Sequence, residues 1–153
     1  MKGLQPFQAI FAQKRERAED RAVVGTGSPF PTIIRGGQPF RIDQVNNAYV
    51  FPGVGLGAIA VKARRVSEGM FLAAARAIAD LSPAKRDPHA NLLPPLVESL
   101  TISLQVAIAV AEQATREGLA GRLPKDDLAA TVKSMMWEPI YSTYQRLPPT
   151  QRG

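Results

Sequence analysis

The sequence predicts an α/β fold with few short strands, an edge hairpin and about four to five helices. Short apolar runs bounded by glycine and proline occupy the first third of the chain, and longer runs with helical spacing follow. The order is strand, hairpin, strand and then helices, without the repeated strand–helix alternation of a complete doubly wound sheet. The chain therefore looks like the last strands and covering helices of an α/β domain.

The strands are predicted in the first part of the chain. Residues 7–19 are predicted to form a short charged helix, and residues 22–25 a buried strand that a Gly/Ser/Pro turn stops. Two apolar runs around Gly36–Gly37 indicate a hairpin, and Pro39 restricts it to a sheet edge. The apolar run at 48–51 is predicted to be a second buried strand.

The helices follow. Residues 56–65 have a helical pattern, with Pro52 where a first helical position would be. Ser67 is predicted to cap a second helix, whose apolar face comprises Met70, Phe71, Ala74, Ala77, Ile78 and Leu81. A long buried helix is predicted from about 96 to 117 with Gly118 as its stop, and another helix opens at Pro124 with Asp126 and Asp127 in its first turn.

Composition excludes several kinds of chemistry. The chain has no cysteine, which excludes disulfides and thiolate metal sites, and its single histidine, His89, cannot form a His-rich metal site. The net charge of +6 raises nucleic acid as a partner, but basic and acidic residues alternate, and no basic stripe is interleaved with aromatics. A solvated surface with some anionic ligand sites is therefore favoured over nucleic-acid binding.

No membrane segment is predicted. The first 20 residues contain no apolar run long enough for a signal peptide or an anchor. The longest apolar segment, LTISLQVAIAVAEQA, is interrupted by Ser103 and Gln105 and is taken as too short to span a bilayer. We therefore expect a soluble, cytoplasmic protein.

A glycine pattern at 53–58 invites comparison with dinucleotide-binding turns. Gly53, Gly55 and Ala58 match G-x-G-x-x-A after an apolar run. Pro52 directly precedes the first glycine, however, and no acidic residue lies at the spacing that a ribose contact requires. The favoured interpretation is that these glycines let the start of a helix pass close to other backbone, with Gly57 permitting tight helix–strand packing.

Three ordered stretches resemble the C-terminal part of malic enzymes. They are GTGSPF from position 25, QVNNAYVFPGVGLGAIAVKARRVSEGMFLAAARAIADLSP from position 44, and MMWEPIY from position 135. The resemblance implies the C-terminal portion of a Rossmann-like NAD(P)-binding domain over residues 21–145, after a divergent segment 1–20 and before a tail 146–153. The family converts malate to pyruvate and CO2 by oxidative decarboxylation with NAD or NADP and a Mg or Mn ion.

The resemblance also implies site residues. Asn46 and Asn47 match the paired asparagines of the family and would contact the malate carboxylate and the nicotinamide side of the cofactor. An amide offers both a donor and an acceptor without charge, although Asn-Asn is also typical of a turn. Gly27 and Ser28 are further candidate cofactor contacts, in a turn expected at the carboxyl end of a strand.

The sequence also departs from the family pattern. The catalytic tyrosine and lysine, the metal-binding carboxylates and the dinucleotide turn lie upstream in malic enzymes, and this chain has no matching motif; Asp43 alone is insufficient for a metal. We therefore expect a truncated malic enzyme or a segment of one, inactive alone and without tight cofactor binding. It would associate as a homo-oligomer or with a malic enzyme subunit. The alternative is a non-catalytic interaction module.

Overall fold

The computed structural model describes residues 23–35, 37–40, 42–87, 90–121, 127–138, 140–141 and 143. Two small sheets precede the helices. Strands β1 (Gly25–Thr26) and β4 (Asp43–Gln44) pair in parallel, and β2 (Ile33–Arg35) and β3 (Gln38–Phe40) form an antiparallel hairpin. The helices are α1 (Phe51–Ala60), α2 (Glu68–Asp80), α3 (Ser99–Arg116) and α4 (Leu128–Ser134). Mixed α/β architecture is thus confirmed.

Helix α3 is the centre of the core. It packs against α1, α2 and α4. Seven of its residues are buried: Ile102, Ser103, Val106, Ala107, Val110, Ala111 and Ala114. A short 3-10 helix, Leu96–Glu98, leads into it, and Gly118 follows it with φ 65, a left-handed conformation that suits glycine. The predicted long helix and its glycine stop are therefore confirmed, and the helix is buried on the face that packs against the other helices, whereas Leu100 is 54% exposed.

The same helix tests the expectation that the longest apolar segment is too short to span a membrane. Leu96–Arg116 spans 21 residues, so by length and composition alone it could cross a bilayer, and the expectation that it is too short is wrong. A core helix of a soluble protein passes the same test. Here α3 packs on three other helices, and 33% of its apolar stretch is buried inside the structure.

Helix α2 begins as its sequence predicts. The Ser67 hydroxyl accepts a hydrogen bond from the Met70 amide at 3.1 Å and caps the helix. Ala74 and Ile78 continue the buried face, whereas Phe71 is 44% exposed and does not belong to it. Helix α4 begins at Leu128, with the Asp127 carboxylate accepting from the Ala129 amide. Pro124, Asp126 and the predicted helix at 7–19 lie outside the described residues.

Two strand predictions are wrong. The strand predicted at 22–25 is β1, Gly25–Thr26, and Val23 before it is 63% exposed because no described layer covers it. The strand predicted at 48–51 is instead a 3-10 helix, Asn47–Tyr49, running into α1. A short apolar run does not distinguish strand from helix by periodicity, and the asparagine cap and the tyrosine contact described below favour the helix here.

The first helix is displaced from its predicted position. It spans Phe51–Ala60 rather than residues 56–65 because Pro52 fits its first turn and Lys62, with φ 49, ends it. The glycine pattern therefore lies inside a helix, not in a strand-to-helix turn. Gly57 does permit close packing, but its neighbour is helix α3 and not a strand.

Candidate functional site

The parallel pair brings the predicted site segments to one edge. Gly25 lies opposite Asp43, Thr26 lies opposite Gln44, and the Val45 amide donates to the Thr26 carbonyl at 2.7 Å. Both strands therefore end at the same edge. Gly27 and Ser28 follow one strand there, and Asn46 and Asn47 follow the other after a single residue. Ligands of α/β proteins bind beyond the carboxyl ends of their parallel strands.

The two asparagines differ in how they are held. The Asn46 side chain is half-buried, and its Oδ1 accepts from the Ala48 amide at 2.9 Å, which caps the 3-10 helix. That bond fixes the amide plane and leaves its Nδ2 without a partner among the described residues. The Asn47 side chain is exposed and makes no hydrogen bond within the described part of the chain. The Asn46 side chain is therefore held in one orientation with its Nδ2 available to donate. The Asn47 amide is available both to donate and to accept.

Gly27 and Ser28 form an exposed turn beside them. The Thr26 hydroxyl donates to the Ser28 carbonyl at 2.5 Å and closes this turn. Nothing lies within 4 Å of the position that a Cβ of Gly27 would take, so no described contact requires a glycine there. The structure places both residues at the edge that carries the asparagines. Their contact with a cofactor stays a prediction.

Two hydrogen bonds, one buried and one partly buried, connect the asparagine segment to the loop before α3. The Asp43 Oδ2 accepts from the Leu92 amide at 2.9 Å, and the Tyr49 hydroxyl donates to the Pro94 carbonyl at 2.7 Å. These bonds flank Asn46 and Asn47 on either side along the chain. Burial, and next the negative charge of Asp43, raises the pKa of the Tyr49 phenol, so it stays protonated as the donor.

Sequence reasoning missed both of these anchoring residues. Asp43 is only 6% exposed, although it was considered only as an insufficient metal ligand, and Tyr49 was assigned to a strand. Their partners lie 49 and 45 residues further along the chain. The local sequence carries no signal of this burial, because Asp43 lies between Ile42 and Gln44 in a mixed polar and apolar stretch.

The glycines of α1 do not fit a dinucleotide phosphate, and the described side chains do not fit a metal. A Cβ at Gly53 would lie 2.5 Å from Val106 Cβ, and one at Gly57 would lie 2.4 Å from the Ala107 carbonyl oxygen. These glycines pack α1 onto α3, so they cradle no pyrophosphate, as the sequence analysis favoured. Within the described ranges no group of three or more His, Asp or Glu side chains could hold a metal ion. The two asparagine amides do fit a carboxylate or a carboxamide.

Other polar and aromatic candidates have structural partners. The Arg64 guanidinium donates to the Gly118 carbonyl at 2.7 Å and so satisfies a carbonyl just beyond the end of α3. Trp137 and Tyr141 make an edge-on ring contact at 6.2 Å, but they are 65% and 81% exposed. Their spacing of four residues favours a place in the core or in a subunit contact; the exposure excludes the core, and the subunit contact stays a prediction. His89 lies outside the described residues.

A parallel strand pair with amide side chains at its carboxyl edge defines part of an α/β ligand-binding domain. The family described as "Malic enzyme, NAD binding domain" matches residues 5–115. The chain belongs to this family. The boundaries at residues 20 and 145 that the sequence suggests stay predictions.

Known malic enzymes are similar over most of the chain. An NAD-dependent malic enzyme of Edwardsiella ictaluri is 45% identical over 125 residues, which cover 82% of this chain and 22% of that protein. One of Acinetobacter baylyi is 39% identical over 84% of this chain and 23% of its own length. The chain thus spans less than a quarter of these curated relatives.

Solved structures show the same relationship. The malic enzyme of Pyrococcus horikoshii superposes with a TM-score of 0.57 at 31% identity, over 78% of this chain and 25% of that one. The malic enzyme of Entamoeba histolytica gives a TM-score of 0.58 at 29% identity, over 86% and 23%. The fold is therefore that of part of a malic enzyme NAD-binding domain.

Proposed function

We propose that these residues form the C-terminal part of the NAD-binding domain of a malic enzyme, which converts malate to pyruvate and CO2 by oxidative decarboxylation. The relatives' names support NAD as the cofactor, and the family resemblance supports a Mg or Mn ion held elsewhere in the enzyme. The carrying observation is the shared edge of β1 and β4, which brings Asn46–Asn47 and Gly27–Ser28 together. A cytoplasmic location is part of the proposal.

The asparagines bind and orient rather than react. Because Asn46 Oδ1 is engaged by the Ala48 amide, its Nδ2 can donate to a carboxylate oxygen of malate in one fixed direction. Asn47 can both donate to and accept from the nicotinamide carboxamide. When bound, NAD supplies the hydride acceptor. Holding malate and nicotinamide side by side is the contribution of this segment, since correct orientation lowers the barrier to transfer.

By itself the chain is proposed to be inactive. The described residues supply no metal cluster, the packed glycines of α1 form no phosphate cradle, and no motif in the sequence matches the family's acid–base pair. The purified 153-residue chain, given malate, NAD and Mn²⁺, should produce no NADH and should bind NAD weakly. Malate-dependent NADH production by this chain would contradict the proposal.

A chimera tests the asparagines directly. The 125 matching residues of this chain replace their counterpart in the Edwardsiella ictaluri enzyme, and Asn46→Asp is introduced. The aspartate still accepts from the Ala48 amide but turns the Nδ2 donor into a charged oxygen that repels the malate carboxylate. We expect the KM for malate to rise about tenfold or more, since a hydrogen bond to a charged group contributes about 1.5–3 kcal/mol.

The matched control makes the same chemical change elsewhere. Gln105→Glu converts an exposed amide on α3 into a carboxylate and should leave KM and kcat unchanged.

Asn47→Asp should raise the KM for NAD more than the KM for malate. If neither asparagine variant altered the KM for malate or for NAD, the proposed binding role of these residues would be wrong.

A second candidate function is a non-catalytic interaction module. In the described part of the chain, β1 and β4 pair only with each other, and Val23 and Val45 beside them are 63% and 56% exposed. Unpaired strand edges and exposed apolar side chains favour association with another surface. The module would bind a second copy or a malic enzyme subunit.

A further inference from the structure

The asparagine pair, Asn46–Asn47, lies between two side-chain links to one loop. Before the pair, the Asp43 carboxylate accepts from the Leu92 amide, and after it, the Tyr49 hydroxyl donates to the Pro94 carbonyl. Both partners belong to the loop before α3. The position of the asparagines against that loop is therefore set from both ends of their segment.

The two links are not equivalent. The backbone of Asp43 is also held by the parallel pair, because its amide donates to the Val24 carbonyl at 3.0 Å and the residue lies opposite Gly25. Tyr49 lies in the 3-10 helix, outside both small sheets, and it is only 6% exposed. Its bond to the Pro94 carbonyl, at 2.7 Å, therefore ties the 3-10 helix to the loop.

The 3-10 turn connects this bond to Asn46. The Tyr49 amide donates to the Asn46 backbone carbonyl at 3.2 Å, and the Ala48 amide donates to Asn46 Oδ1 at 2.9 Å. Both oxygens of Asn46 are thus bonded to the turn that Tyr49 holds, so a tilt of this turn changes the direction of Nδ2. The Asn47 side chain is exposed, and within the described part of the chain no such bond fixes its direction.

We propose that Tyr49 is a positioning residue for malate, because its bond to the Pro94 carbonyl sets the direction of the Asn46 Nδ2 donor. This role rests on the proposed function, in which that donor meets a carboxylate oxygen of malate. A hydrogen bond weakens steeply as its angle departs from linear, so a tilted turn lowers the affinity for malate. NAD, which the proposed function assigns to Asn47, is bound as before.

Kinetics of the chimera with the Edwardsiella ictaluri enzyme separate positioning from general stability. Tyr49→Phe keeps the ring and removes only the hydroxyl. The KM for malate should rise about tenfold, because a misdirected donor forfeits much of a charge-assisted bond, while the KM for NAD stays within about twofold. Thr115→Val removes a hydroxyl that donates to the Ala111 carbonyl within α3 and should leave both KM values unchanged. An equal rise of both KM values, or no rise of either, would overturn the proposal.

A double-mutant cycle tests whether Tyr49 acts through Asn46. In the Asn46→Asp chimera the donor is already absent, so adding Tyr49→Phe should raise the KM for malate by no more than about twofold. Full additivity of the two effects would overturn the proposal. If Asn46→Asp raises the KM and Tyr49→Phe does not, the positioning role fails and the proposed function stands. An unchanged KM in Asn46→Asp removes the proposed function itself.

NMR of the 153-residue chain tests the connection without activity. Tyr49→Phe should shift the side-chain amide signals of Asn46 more than those of Asn47 and should speed hydrogen exchange of the Ala48 amide. Tyr141→Phe removes a hydroxyl from a residue that is 81% exposed and should change none of these signals. Unchanged Asn46 signals and Ala48 exchange in a folded Tyr49→Phe chain would contradict the proposal.

The acceptor side of the same bond provides a second variant if Tyr49→Phe does not fold. Pro94→Gly releases the fixed φ of the residue that carries the accepting carbonyl and leaves the 3-10 helix unaltered. It should reproduce the selective rise of the KM for malate in the chimera and the faster exchange of the Ala48 amide in the 153-residue chain. A folded Pro94→Gly variant with neither effect would overturn the proposal.

Discussion

At the residue scale, the glycines of α1 show that a motif's spacing does not by itself determine its structure. Gly53, Gly55 and Ala58 have the spacing of a phosphate-binding turn, yet they lie within one helix. Gly53 and Gly57 face α3 so closely that a side chain would meet its backbone oxygens, whereas Gly55 faces open space. Only two of the three glycines are therefore required by packing.

This difference predicts opposite effects of one substitution. Gly57→Ala places a Cβ 2.4 Å from the Ala107 carbonyl oxygen, which is backbone and cannot easily move. Its free energy of unfolding should fall by about 1–3 kcal/mol. Gly55→Ala adds the same methyl group to the same helix in open space and should stabilise the chain by up to about 1 kcal/mol. Urea unfolding compares the two, and equal stabilities would show that α1 and α3 are not in close contact.

The sequence indicates some candidate residues and not others. Asn46 and Asn47 are candidates because they belong to a contiguous motif that resembles a known family, and their ligand contacts stay predictions. The anchoring contacts of Asp43 and Tyr49 could not be predicted, because they depend on Leu92 and Pro94, some fifty residues away. Long-range hydrogen bonds of this kind leave no periodic pattern in the chain.

At the element scale, the best-predicted features are those with local chemistry. The turn at Gly37, the Ser67 cap and the Gly118 stop each depend on a few adjacent residues, and the structure confirms all three. The apolar run at 48–51 was misassigned because its conformation depends on packing against α3 and the loop before it. Tertiary contacts decide between helix and strand for such short runs.

A polar link between α2 and α3 predicts a pH dependence. The Glu117 carboxylate accepts from the Gln113 amide at 2.7 Å and from the Ser67 hydroxyl at 2.5 Å. These two bonds, and then the charges of Arg65 and Arg116, lower the pKa of Glu117 below its ordinary value of 4.5. The stabilisation is therefore complete above that ordinary value and is lost as the pH falls through the lower folded value.

Thermal unfolding of Glu117→Gln between about pH 7 and pH 3 tests this link. The unmodified chain should have the higher Tm at neutral pH, and the difference should shrink below pH 4.5 as Glu117 becomes protonated. Glu112→Gln removes an equal charge from an exposed pair with Arg116 and controls for net charge. A Tm difference that grows on acidification would reverse the assigned sign.

At the scale of the whole molecule, the described surface carries many large apolar side chains. Trp137 and Tyr141 are exposed near the end of the described chain, and Ile34, Phe51 and Ile59 are each more than half exposed. Isolated exposed residues of this kind are ordinary, but aromatic side chains are enriched in protein interfaces. In a chain that spans 22% of a relative, such surfaces are consistent with contacts to the rest of an enzyme.

We therefore expect the isolated chain to associate. Size-exclusion chromatography with light scattering at micromolar concentration should give a mass above the monomer's 16.5 kDa. Added NaCl should not dissociate the assembly, because burial of apolar surface is not screened by salt. Trp137→Ser combined with Tyr141→Ser should weaken association, while Val97→Ser, at an 89% exposed position on the 3-10 helix before α3, serves as the control. A monomer at all concentrations would contradict the interaction module.

The connection between β1 and β4 has a consequence for sequence tolerance. Parallel neighbours need a crossover of a dozen or more residues, and here the β2–β3 hairpin is part of it. Additional residues at the Gly37 turn would lengthen the hairpin outward without shifting the Gly25–Asp43 register. Insertions and deletions among relatives should therefore collect at this turn, while the spacing from Asp43 to Tyr49 remains constant.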